Sequence, residues 1–117
     1  MKTILTITLL MFTAGTWAAE APKSTPELIA KGKALYASKC LTCHGEKGDG
    51  NGPAGKYMKP KPRDFAKGPY KKGDKAADIF TTITKGLDGT AMIGFPDVPE
   101  ADRWGIVYYV QSFKEAK

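Results

Sequence analysis

Three stretches of the chain carry apolar residues at helical spacing, and none shows a sustained strand-like alternation of apolar and polar positions. The first runs from Pro26 to Ser38, where Leu28, Leu35 and Tyr36 can share one side. Thr25, Pro26 and Glu27 mark its start: a hydroxyl N-cap, a proline in the first turn and an acid near the positive helix end. Gly32 lies mid-helix, where glycine costs about 1 kcal/mol against alanine, so close packing against another helix is expected there. A second helix is predicted over residues 75–85, capped by Asp74, stopped by Gly86 and directing Ala77, Ile79, Phe80 and Ile83 inward. The third is predicted over residues 99–114. Asp97-Val98-Pro99-Glu100 before it has capping-box spacing, and Ile106, Tyr109, Val110 and Phe113 form one face flanked by Trp104 and Val107.

Between these helices the chain is rich in glycine and proline. From Gly45 to Tyr70 it reads as loop, and a loop of that length in a compact domain is expected to have a function or to wrap something. Leu87 to Val98 is a second loop. The predicted fold class is therefore all-α, with about three main helices and long loops around a shared centre.

The N-terminus changes the effective length. Met1-Lys2 is positive, Thr3 to Ala14 is an apolar stretch with threonines, and Thr16-Trp17-Ala18 ends it on a small residue, as in a secretory signal peptide. Residues 1–18 are thus expected to be removed, leaving residues 19–24 as an extended segment and 25–117 as one domain. The alternative for the same residues is a retained anchor, although the run is short for a spanning helix of about 20 residues. The remaining 99 residues hold no second run of that length, so no stable membrane insertion is expected after cleavage.

Candidate chemistry is concentrated in Cys40-Leu41-Thr42-Cys43-His44. Cys-x-x-Cys-His is the attachment sequence of a c-type haem: two thiols three positions apart add to the two porphyrin vinyl groups, and the following imidazole takes an axial position on iron. A thioredoxin-like dithiol needs no following histidine and normally accompanies a strand-helix-strand pattern, which is missing here. Zinc needs four ligands, and this chain has two cysteines and one histidine in all. A structural disulfide is compatible with export, but so close a spacing suits redox-active pairs better. One covalent haem c would also enlarge a small core, so the chain without it is expected to fold poorly.

His44 is the only histidine, so a second strong axial ligand must be sought among the methionines. Met92 lies in the glycine-bearing loop Gly86-Leu87-Asp88-Gly89-Thr90-Ala91-Met92, and Met58 follows His44 by 14 residues. The loop position favours Met92, and His/Met ligation raises the reduction potential.

These residues together resemble the class I c-type cytochromes, especially short bacterial monohaem domains such as those of oxidase-associated subunits. The resemblance covers Thr25 to Phe113 and rests on Gly32 and Tyr36, the Cys40–His44 motif, Gly52-Pro53, Pro62-Arg63-Asp64-Phe65, Gly89-Thr90-Ala91-Met92, and Trp104 with Tyr109. It implies that the first and last helices cross at Gly32 and Tyr109. It also implies that the Pro53 carbonyl accepts a hydrogen bond from His44, orienting the imidazole. Many relatives have proline after the methionine ligand, where this chain has Ile93. Arg63 is a candidate partner of a haem propionate or a solvated arginine, and Tyr57 and Trp104 either reach a propionate or simply pack.

The formal charge is +6, and loss of Lys2 with the leader leaves +5. Two ionised propionates would bring this to roughly +3, an excess that steers toward acidic protein surfaces and gives no reason to invoke nucleic acid. Eight cations, Lys56, Lys59, Lys61, Arg63, Lys67, Lys71, Lys72 and Lys75, stand against only Asp64 and Asp74 in one segment. That segment is either a salt-sensitive docking face for acidic redox proteins or a solvated loop. The leading expectation is a monomeric periplasmic carrier of single electrons and not an enzyme. The alternatives are a haem subunit docked on a larger respiratory complex, and a haem sensor or enzyme with a labile distal ligand.

Overall fold

A computed structural model describes residues 20–115; the expected leader, residues 1–18, lies outside the described residues. Four helices follow in order: α1 (Pro26–Lys39), α2 (Leu41–His44), α3 (Ala76–Lys85) and α4 (Glu100–Glu115), with a 3₁₀ turn at Gly55–Tyr57. Among the described residues there is no strand, only an isolated antiparallel bridge between Gly86 and Ile93. No helix among them is long and apolar enough to cross a membrane. The all-α expectation holds, with the short α2 as an addition: the chain leaves α1 and turns once more before the His44 ring is presented.

Thr25 caps α1 as its chemistry predicts, its Oγ1 accepting from the Leu28 N–H at 3.2 Å. The start of α3 differs from expectation. Lys75 occupies the N-cap without a side-chain cap bond, while Asp74 is drawn to Lys114 of α4, 2.6 Å away. That ion pair draws the carboxylate, through Oδ2, toward α4. Ala77 is exposed, because Ile79 and Ile83, one turn apart, set the buried stripe and place Ala76 rather than Ala77 beside it. At α4 the Asp97–Glu100 box is out of register: the helix begins at Glu100, and the Pro99 carbonyl accepts the first bond, from Arg103 N–H.

The packing of α1 on α4 is decided by two glycines. A Cβ on Gly32 would lie 1.9 Å from the Gly105 carbonyl oxygen, and one on Gly105 would lie 2.7 Å from that of Leu28. The main chains are therefore in direct contact. The crossing partner of Gly32 is Gly105, not Tyr109; Tyr109 lies one turn farther along and packs edge-on against Tyr36, ring centroids 5.1 Å apart. Ile106, Val107 and Val110 of α4 and Trp104 beside them are buried, and Phe80 of α3 stacks on Trp104 at 4.3 Å. The α1–α4 pair is thus a rigid frame, and α2, α3 and the two loops close a chamber against it.

Candidate haem site

The long loop after α2 returns across it and satisfies its C-terminal carbonyls. Gly50 N–H donates to His44 O at 2.8 Å, Gly52 N–H to Cys43 O at 3.2 Å, and Ala54 N–H to Thr42 O at 2.9 Å. This return demands glycine: a Cβ on Gly55 would lie 1.8 Å from the Cys43 carbonyl oxygen. From the other side, the buried Tyr36 hydroxyl donates to the Gly45 carbonyl at 2.6 Å. A four-residue helix that would fray alone is thereby held on both sides, and Cys40 at its N-cap, Cys43 and His44 keep their relative positions.

Beside it lies a mainly apolar cavity of about 640 Å³, in the size range of sites for large organic ligands. Cys40, Cys43, His44, Met58, Arg63 and Met92 all border it, together with Ile79 and Ile83 of α3 and Ile106 and Val110 of α4. The cations Lys39, Lys61, Lys71 and Lys72 also border it, and among the described residues no carboxylate does. Both cysteines are free thiols, and burial pushes that of Cys40 up to about 11, Lys39 opposing the shift. Burial pushes His44 down to about 4, so its ring is neutral at pH 7 and offers a lone pair.

The proximal surroundings of His44 differ from those the resemblance implies. Pro53 is exposed and does not border the cavity, because Gly52 and Gly55 on either side of it face α2 and turn it outward. The Arg63 main chain lies against the imidazole instead and partly opposes the fall in its pKa. Nδ1 is nevertheless buried and falls short of a formed hydrogen bond among the described residues. The Phe65 ring stacks on the imidazole, centroids 4.5 Å apart and planes 21° from parallel.

Tyr57 and Trp104 do not border the cavity either. Tyr57 is 77% exposed in the 3₁₀ turn, with Lys56 Nζ 5.2 Å from its ring centre, and Trp104 faces Phe80 of α3. Three contributors escaped the sequence reasoning in their particular contacts: Phe65 against His44, the Tyr36 hydroxyl on Gly45, and Gly105 opposite Gly32. A second interior glycine, in α4, was the available signal for the last.

The donor set, the neutral imidazole, the apolar chamber and the cationic margin fit a covalently tethered porphyrin with two carboxylates. The family model for cytochrome c matches residues 29–114. The chain belongs to the cytochrome c family. Covalently bound haem c and haem-based electron transfer follow from that membership. The chain is 32% identical over 92 residues to the cbb3-type cytochrome c oxidase subunit FixP of Azorhizobium caulinodans, covering 79% of this chain and 29% of that one. It is 30% identical over 89 residues to a thiosulfate dehydrogenase of Stutzerimonas stutzeri, covering 72% and 27%. Among solved structures, a chain of a reducing HAO-like protein complex from Kuenenia stuttgartiensis superposes with a TM-score of 0.75 at 33% identity, covering 81% of this chain and 47% of that one. This cytochrome c chain therefore spans under a third of the length of those two curated relatives.

Tyr36→Phe tests how the attachment helix of this cytochrome is held. Removing the hydroxyl leaves the Gly45 carbonyl with the longer bond from the Gly48 N–H, 3.2 Å, so a loss of about 1 kcal/mol is expected in guanidinium unfolding of the holoprotein, with haem content unchanged.

Proposed function

We propose that this chain is a monohaem electron carrier with His44 and Met92 as its two axial donors. The supporting observation is that both side chains, delivered by different segments, border one apolar cavity together with both cysteines. When bound, the haem supplies a one-electron change between ferric and ferrous iron. The work of the chain is to hold and tune that group. Cys40 and Cys43 would tether it, neutral His44, with the Phe65 ring stacked on it, would donate to the iron, and the soft Met92 thioether would favour the ferrous state, raising the potential. Ile79, Ile83, Ile106 and Val110 exclude water, which disfavours the additional positive charge of ferric iron. Arg63, with Lys61 beside it, is placed to receive a propionate.

The carrier is proposed to be exported, to work as a monomer in the periplasm, and to meet acidic redox proteins through its lysine-rich segment. A second reading, a haem subunit docked on a larger complex, is supported by the likeness to the oxidase subunit FixP and to a chain of the HAO-like protein complex.

Carbon monoxide tests the ligand set. The reduced holoprotein is expected to leave its visible spectrum unchanged under carbon monoxide at neutral pH, and Met92→Ala to bind the gas promptly. Prompt binding by the unaltered protein would favour a sensor or enzyme; exclusion by Met92→Ala would remove Met92 as the ligand.

A further inference from the structure

Met92 stands in a loop whose hydrogen bonds converge on one side chain. Thr90 Oγ1 donates to the Leu87 carbonyl at 2.7 Å and accepts from the Met92 N–H at 3.1 Å. The Leu87 N–H donates in turn to the Met92 carbonyl at 3.0 Å, and Gly86 pairs with Ile93. One hydroxyl thus links the entry of the loop to the main chain of the sulfur-bearing residue.

At the loop tip the Thr90 N–H adds a longer bond to the same Leu87 carbonyl, 3.3 Å, and little else fixes it. Nothing lies within 4 Å of the place a Cβ would take on Gly89, Ala91 is exposed, and Ile93 is 67% exposed. The ends are better held: Gly86 stops α3 at φ 75°, and the Phe95 N–H donates to Ile83 O at 2.8 Å. Thr90 is half-buried and borders the cavity, so its two bonds are partly shielded from competition by water. Ile93 supplies none of the φ restriction that a proline after the methionine would bring.

We infer that Thr90 is a positioning residue for Met92, its hydroxyl holding the loop in the conformation that directs the thioether at the cavity. The inference rests on Met92 as axial ligand. Without the hydroxyl, the Met92 N–H and Leu87 carbonyl lose these contacts, and the loop samples conformations in which the sulfur is withdrawn.

The test compares holoproteins carrying Thr90→Val, Thr90→Ser and Met92→Ala, with Thr90→Ala as a second hydroxyl-free variant should the valine protein not be recovered. The readouts are the rate of carbon monoxide binding to the ferrous form, the weak red absorption band of thioether-ligated ferric haem, and the melting temperature. Thr90→Val is expected to bind carbon monoxide where the unaltered protein leaves its spectrum unchanged, at about a tenth of the rate of Met92→Ala, and to lose part of the red band, with Thr90→Ser behaving as the unaltered protein does. A purely structural role would lower the melting temperature and leave both ligand readouts unmoved, which overturns the inference. If Met92→Ala opens the site and the hydroxyl-free variants do not, the inference falls and the ligand stands. If Met92→Ala itself excludes carbon monoxide and keeps the red band, the ligand reading falls, and the inference with it.

Discussion

Gly32→Ala is expected to destabilise the holoprotein by about 3 kcal/mol or more, and Gly32→Val to prevent its accumulation. At an exposed mid-helix position the alanine would gain about 1 kcal/mol from helix propensity alone, so two effects of opposite sign compete. Geometry decides between them. The added Cβ would lie 1.9 Å from the Gly105 carbonyl oxygen, 2.1 Å from its carbon and 2.7 Å from the Ile106 nitrogen, all main-chain atoms that no rotamer change can move aside. Relief requires α1 and α4 to separate by more than an ångström, which loosens Tyr36 from Tyr109 and opens the frame that the haem chamber is built on. Guanidinium unfolding checks this, with Lys33→Ala on the exposed side of the same helix as the control, expected to change little. A Gly32→Ala protein as stable as the unaltered one would show that the α1–α4 contact is compliant.

Much of this frame was legible because its signals are local. Thr25 and Pro26 start α1 through bonds that involve only neighbouring residues, and Gly86 ends α3 by a backbone conformation of its own. Asp74 shows where such signals fail. Its chemistry suits a cap, but Lys114, 40 residues away in sequence, competes for the same carboxylate and holds it at 2.6 Å. Gly32 announced a close approach without saying to what, since the answer depends on the rotation of α4, and there the helix presents Gly105 rather than Tyr109.

The site divides along the same line. Cys40, Cys43, His44 and Met92 could be named because their spacing and side-chain chemistry carry the meaning, and all four border one cavity. Pro53, Tyr57 and Trp104 do not border it, because their orientation follows from long-range packing: Pro53 is turned out by two glycines pressed on α2, and Trp104 is turned toward Phe80. The neighbours that His44 does have, the Arg63 main chain and the Phe65 ring, arrive about twenty residues later in the chain, at a distance that no local pattern specifies.

A chain unable to attach haem, Cys40→Ala with Cys43→Ala, is expected to lose cooperative unfolding altogether. The reason is the position of the cavity rather than its size alone. Tyr36 of α1, His44 of α2, Ile79 and Ile83 of α3 and Ile106 and Val110 of α4 all border it, so every helix turns part of its apolar surface toward the same void. The cavity is open to solvent, so without haem its apolar lining faces water, a cost set against net stabilities of only about 5–15 kcal/mol. Collapse of α3 and the loops into the space would break the return of the long loop onto α2 and the bridge at Ile93. What survives should be the contact remote from the chamber, the α1–α4 crossing at Gly32 and Gly105, so residual helicity is expected to concentrate in α1 and α4. Circular dichroism during thermal unfolding measures this directly. A cooperative transition with holoprotein helix content would mean that side-chain packing alone sustains the fold and that haem is a guest rather than a part of the core.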